Sequence, residues 1–187
     1  MTPSDPWITL PDLLRPDLDL VFIGINPSLY SVAQGHYFAR KANRFWPAFS
    51  RSVLSEPARR ALGLDWLEPM HDTTLPDHGI GFTDVVKRPT ARADELSVEE
   101  FAAGARELVV KLETFQPRIA CFQGMMGYRP FHRIHAPGEA KAELGEQPFH
   151  LGRTRLFVVP SPSPANAHAS PAIQTAWYDR LAVAARG

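Results

Sequence analysis

Apolar positions along this chain come in two patterns. Leu20–Ile25 is continuously apolar and predicts a buried strand. Gly79–Val86 reads as a short extended segment, and Arg118–Phe122 and Arg155–Val159 as further strands. Between these runs the spacing turns helical. A helix is predicted from about Arg44 to Leu54, with Pro47 in its first turn. Ser97-x-x-Glu100 is a capping box. It opens a helix whose Val98, Phe101, Ala102, Ala105, Leu108, Val109 and Leu112 share one face, and Pro117 ends it. Gln123-Gly124 turns into a short helix. Ser170 caps a last helix with Pro171 at its first position. Within the entry segment 1–19, Leu10–Leu14 predicts one more short helix.

Strands alternating with helices predict an α/β fold around a largely parallel sheet. No repeat, low-complexity tract or linker divides the chain, so 1–187 is expected to form a single domain. Three polar loops leave strand ends: 26–38, 83–92 and 160–168. In an open α/β sheet they should converge at one edge, where such folds place ligands.

Composition narrows the function classes. Hydrophobic content is 44%, charged content 21% and net charge zero, so any nucleic-acid partner needs a local patch. The single cysteine, Cys121, lies in an apolar run. It excludes an intrachain disulfide and a four-cysteine metal site, and reads as a buried core thiol. No secretory-signal pattern and no bilayer-length apolar run are present, which predicts a soluble, intracellular, cytoplasmic protein, nucleoid-associated if bacterial. There is no Gly-x-Ser-x-Gly elbow, Walker loop or GxGxxG, and His132 and His135 are expected at the surface rather than on a metal.

The candidate chemistry sits on the three loops. Gly24-Ile25-Asn26-Pro27-Ser28 brings an amide to a strand end. Asn26 offers one acceptor and two donors but no acid or base, which suits holding a water or reading a base edge, although Asn-Pro also simply starts turns. Phe38, in a loop that needs no aromatic, is either a satellite core residue or a stacking platform for a planar base. His36 and Tyr37 share that ambiguity. Phe45 and Trp46 are expected in the core. Asp84 is a turn residue or, if beside Asn26, a group that orients or deprotonates a water or stabilises a developing cation. Lys87, Arg88 and Arg92 form one basic cluster and Arg40, Lys41 and Arg44 another. Each is a solvated face or a phosphate contact. The stiff loop Ser161–Asn166 is a connection, or a clamp on a duplex.

Taken in order, these segments resemble the mismatch-specific uracil/thymine-DNA glycosylases of the uracil-DNA glycosylase superfamily, from about Val21 to Arg180. Gly24-Ile25-Asn26-Pro27, Gly35-His36-Tyr37-Phe38, Asn43-Arg44-Phe45-Trp46, Gly81–Thr90, Gly104–Arg118 and Pro160–Pro164 carry the resemblance. It implies a three-layer α/β/α sandwich. It implies hydrolysis of the N-glycosidic bond of uracil, notably in G·U mismatches, or of related damaged bases, in double-stranded or single-stranded DNA. The enzyme would be monomeric, without metal or other cofactor and without membrane contact.

By the same resemblance Asn26 would hold the attacking water; Asp84, an acid that departs from the family pattern, is expected to assist it. Ile25, Ser31, Tyr37, Phe38 and Ser161 would line the base pocket. Arg40, Lys41, Lys87, Arg88, Ser163, Pro164, Ala165 and Asn166 would meet DNA, the loop Ser161–Asn166 filling the gap left by the flipped base. Three positions depart from the family pattern. Asp84 stands where Asn or Lys is common, Ala165 where a larger wedge residue is common, and Ser161 where relatives carry His or Asn. Ser28 also replaces a common Gly. The alternatives are a non-catalytic binder of damaged bases and a small nucleoside hydrolase.

Overall fold

A computed structural model of the chain describes residues 8–138 and 141–186. The first seven residues of the expected entry segment lie outside them. Five strands, β1 (Leu20–Gly24), β2 (Ile80–Asp84), β3 (Ile119–Gln123), β4 (Gly145–Leu151) and β5 (Thr154–Val159), form one sheet in the order β2-β1-β3-β5-β4. All pairings are parallel except β4 with β5. Among the described residues six α-helices complete the fold: α1 (Leu29–Gln34), α2 (Phe45–Arg51), α3 (Glu56–Leu62), α4 (Val98–Phe115), α5 (Met125–His135) and α6 (Pro171–Arg186). The mainly parallel α/β architecture expected from the alternation is the one observed.

Side chains alternate across a strand, so the continuous apolar run of β1 feeds two cores. Leu20 and Phe22 point to one face, where Phe45, Phe49, Tyr178 and Leu181 from α2 and α6 pack. Val21 and Ile23 point to the other, against Phe101, Leu108, Leu112, Tyr128 and Phe131 from α4 and α5. The result is helix, sheet, helix in three layers. Cys121 is buried, and its apolar surroundings push the thiol pKa up, as a core role requires.

The capping box at Ser97 and Glu100 is formed, with Ser97 N to Glu100 Oε2 at 2.9 Å and Glu100 N to Ser97 Oγ at 3.2 Å. Val98, expected on the buried face of α4, is exposed because it sits in the first turn, outside the layer contact. Ser170 caps α6 as expected, accepting from the Ile173 amide at 3.2 Å.

Two elements differ from expectation. Leu10–Leu14 is extended rather than helical. Leu13 exchanges backbone hydrogen bonds with Phe82 at 2.9 and 3.1 Å and so covers the outer edge of β2. Conversely, β4 has no apolar run to announce it and contains Pro148, which is tolerated because β4 is the far edge strand and its pairing with β5 is irregular between Glu146 and His150. His132 and His135 are half-buried rather than at the surface, and burial lowers the pKa of His135. Among the described residues no group of His, Cys, Asp and Glu could hold a metal ion, and no helix is long and apolar enough to cross a membrane.

Candidate active site

Beyond the last ladder rungs of β1 and β2, the two chains stay zipped. Val85 N bonds Gly24 O at 2.9 Å, Val86 N bonds Ile25 O at 3.0 Å and Thr90 N bonds Pro27 O at 3.2 Å. Leu29 N returns to Thr90 O at 3.1 Å. The loops 26–38 and 83–92 are therefore one rigid unit. Asn26 stands on its seam. Its Nδ2 donates to the Arg88 carbonyl at 2.8 Å and to Thr90 Oγ1 at 2.7 Å. A carbonyl can only accept, so the nitrogen must be the atom facing Arg88. Both amide hydrogens are spent on the protein, and the carbonyl oxygen is what Asn26 offers a ligand. That acceptor can hold a water but cannot take its proton.

Ser28 caps α1, accepting from Ser31 N at 3.0 Å, which gives a structural reason for serine after Asn-Pro. Ser31 is buried. Its hydroxyl accepts from Ser28 Oγ at 3.0 Å and from the Ala39 amide at 3.2 Å, tying α1 to the loop that carries the aromatics. Asp72 holds that loop from below, with His36 Nδ1 at 2.8 Å and the Tyr37 amide at 2.7 Å. Phe38 then adopts a left-handed φ of 53°, which a bulky side chain rarely occupies. The turn aims its ring onto Phe45, with centroids 4.4 Å apart at 25°. Phe38 is thus both satellite core and cavity wall, and Tyr37 is buried beneath it, stacked on Phe82.

Asp84 ends β2 opposite Gly24 in the register. A Cβ on Gly24 would overlap Asp84 Oδ1 and stand 3.5 Å from the Phe38 ring. Glycine is the residue that lets carboxylate, aromatic and backbone meet there. Asp84 is 3% exposed, and its Oδ2 has no hydrogen-bond partner. Burial pushes its pKa up to about 6, Lys87 pulls it down, and Asp12 pushes it up. Lys87 Nζ lies 3.5 Å from Asp84 Oδ2.

The third arm arrives from β5. Arg44 holds it. Its backbone N–H bonds Pro162 O at 2.9 Å, and its Nη1 bonds the carbonyls of Ser163 at 3.0 Å and Asn166 at 2.9 Å. Asn166 Nδ2 closes the loop onto Ser161 O at 3.0 Å. Ser161 lies against Gly124, whose φ of 114° and missing side chain admit the close approach. Pro164 and Ala165 form the exposed tip.

All three arms surround one cavity of about 490 Å³, within the range of small-molecule sites. Ile25, Asn26, Ser31, Tyr37, Phe38, Asp84 and Ser161 line it, as do Arg40, Ser163, Pro164, Ala165 and Asn166 at its rim. Lys41, Lys87 and Arg88 do not. Lys87 is turned inward to Asp12 and Asp84, and Glu100 clasps the Arg88 guanidinium through contacts of 2.5 and 3.0 Å, holding the Glu100 carboxyl down at about 2. Both cations thus stand off the cavity, with carboxylates of the protein beside them.

Four residues that matter here had no such role in the sequence reading. Arg44 anchors the third arm, and Thr90 orients Asn26. Met126 is an exposed apolar side chain on the cavity wall. Gln123, a buried amide at the end of β3, also lines the cavity and receives the Tyr178 hydroxyl on its Oε1 at 2.7 Å. Its position, polar at the close of an apolar strand, was the signal available.

A sequence profile of the Uracil DNA glycosylase superfamily matches residues 11–182. In three dimensions the chain is similar to a solution NMR structure from Methanosarcina acetivorans, described as a "putative Uracil DNA glycosylase". The TM-score is 0.54 at 21% identity, over 93% of this chain and 97% of that one. At that identity the likeness speaks for the fold.

Proposed function

The chain belongs to the uracil DNA glycosylase superfamily, and we propose that this protein is a monofunctional glycosylase that hydrolyses the N-glycosidic bond of uracil in DNA, G·U mismatches first. A base inside a duplex shields its sugar carbon, so it must be flipped out at a cost of a few kcal/mol, least for a mispair. The rim residues Arg40 and Ser163–Asn166 meet the duplex, with Pro164 and Ala165 at the vacated stack. The extruded base enters the cavity and lies on Phe38, within reach of the Gln123 amide.

The one observation that carries this reading is the state of Asn26. Its donors are fixed by Arg88 O and Thr90, which leaves an acceptor for a water in the cavity that Asp84 also lines. The water oxygen bonds to the sugar C1′ as the C1′–N bond breaks. The electron pair leaves with the base as its anion, and the water's proton passes to Asp84. Before that, the Asp84 carboxylate stabilises the cationic sugar, the part negative charge plays in glycoside hydrolysis.

The test is single-turnover excision from a uracil-containing duplex, read as alkali-labile breaks. G·U should be cut faster than A·U, and the rate should rise with pH through an apparent pKa near 6 set by Asp84. Binding without breaks would instead make the protein a damaged-base binder, and turnover of free nucleosides alone would make it a nucleoside hydrolase. Asp84→Ala at the wild-type rate would remove Asp84 from the chemistry.

A further inference from the structure

The Lys87 ammonium meets Asp12 Oδ1 at 2.9 Å and the Tyr37 hydroxyl oxygen at 3.1 Å, and stands at ion-pair distance, 3.5 Å, from the Asp84 Oδ2 that no hydrogen bond reaches. It also stands 5.5 Å from the centroid of the Tyr37 ring. Asp12 is fastened in turn by Lys111 Nζ at 2.7 Å and the Thr83 hydroxyl at 2.7 Å. Tyr37 is fastened by its hydroxyl to Pro11 O at 2.9 Å. The charges therefore alternate, Lys111, Asp12, Lys87, Asp84, and only the last of them borders the cavity. The chain segment that supplies Asp12 is the one that lies extended along the edge of β2 instead of forming a helix.

We propose that Lys87 is a positioning residue, held by Asp12 and Tyr37 behind the cavity, whose ammonium keeps the buried Asp84 carboxylate ionised and fixed for the reaction.

This rests on the reading of Asp84 as the group that assists Asn26. The groups facing Asp84 are Lys87 from its own loop, Asp12 from the extended edge segment, Lys111 from α4 and Tyr37 from the aromatic loop, with the His36–Asp72 pair beyond Tyr37. Burial, first, and the Asp12 charge oppose ionisation of Asp84. Lys87 and Lys111 favour it, and Lys87 is the nearer, at ion-pair distance. Without the Lys87 ammonium, the buried Oδ2 would lose its nearest compensating charge. A lysine held in this way does not line the cavity, and its two roles, at Asp84 or on DNA, are separated by experiment.

The test compares Lys87→Met and Lys87→Arg with the wild-type protein in single-turnover excision across pH, alongside duplex affinity as a function of salt. For Lys87→Met the acid limb of the rate profile should move up by at least about one pH unit, a loss of about tenfold on the acid limb well below pH 6, and the rate should recover as pH rises toward 9. Lys87→Arg should restore much of the wild-type profile. Duplex affinity and its salt slope should stay unchanged, which also shows that the variant is folded. If the acid limb stays in place, the proposal is overturned. A weaker affinity with a salt slope reduced by about one would overturn it in favour of a phosphate contact. Asp84→Ala separates the two levels. If that variant is inactive while Lys87→Met keeps the wild-type profile, only the Lys87 assignment falls. If Asp84→Ala excises at the wild-type rate, the role of Asp84 falls and this proposal with it.

Discussion

Two clefts of similar size open at opposite ends of the same sheet, about 490 Å³ at the carboxyl ends of the strands and about 430 Å³ at the amino ends. Both are lined by charge, but they are built differently. At the amino ends Arg118 pairs with Asp19 at 3.3 Å and Arg153 with Asp17 at 3.9 Å, between side chains that are mostly exposed. Water solvates these groups whatever their geometry, so the pairs contribute little. At the carboxyl ends Asn26, Asp84, Gln123 and Tyr37 arrive on buried backbone. Their polar atoms must find partners in the protein, and nearly all do, through Thr90, Arg88 O, Tyr178 and Lys87. Size does not separate the clefts. What separates them is that one holds polar groups with two capacities left over: the acceptor of Asn26 and the unbonded oxygen of Asp84.

That contrast can be broken by mutation, and the largest effect belongs to the chemistry. Asn26→Ala should lower the single-turnover rate by about 10²-fold or more with duplex affinity nearly unchanged. The pair Arg118→Ala and Arg153→Ala should leave the rate where it is. Equal losses at both ends would erase the distinction.

Next comes stability against pH. Asp84 has a pKa of about 6 in the fold against 3.8 for an ordinary aspartate. Between those values the folded protein holds a proton that the unfolded chain releases. Stability therefore falls as pH rises from about 4 to about 6 and stays low above it, by no more than about 3 kcal/mol from this group. Asp84→Asn should flatten that part of the curve in denaturant titrations at pH 4 and pH 7. A slope unchanged by the substitution would mean that Asp84 is not held in the way described.

Smaller again is Gly24→Ala. The new methyl must displace Asp84 Oδ1, at a cost of about 1–3 kcal/mol in a chemical melt and a measurable loss of excision. Finally, the Arg118 and Arg153 substitutions should each change stability by less than about 1 kcal/mol. A larger loss would show that the amino-end cleft is more than a solvated face.

The two ends were unequally legible in the chain. The carboxyl-end loops announced themselves because strands that end in Gly-x-Asn-Pro, Thr-Asp and Pro-Ser-Pro-Ser deliver polar groups where a parallel sheet stops. Their convergence followed from topology. The edge elements did not announce themselves. β4 is polar and broken by Pro148, and its strand character comes from its neighbour β5. Leu10–Leu14 has helical composition, and the free edge of β2 overrode that local preference. The destination of each cation was equally hidden. Arg44 looked like a partner of Arg40, yet it is spent on the carbonyls of Ser163 and Asn166, 119 and 122 positions away.

The sequence by itself determined the layers, because a continuous apolar strand has to bury both faces, and it determined which loops carry the polar groups, because strands and helices have different periods. Tertiary structure alone decided what those groups can still do. Whether an amide keeps an acceptor and whether a lysine faces solvent or the Asp12 carboxylate depend on neighbours that are dozens of residues away in the chain and within about 3 Å in the fold, and whether a carboxylate is raised to about 6 depends first on how deeply the fold buries it.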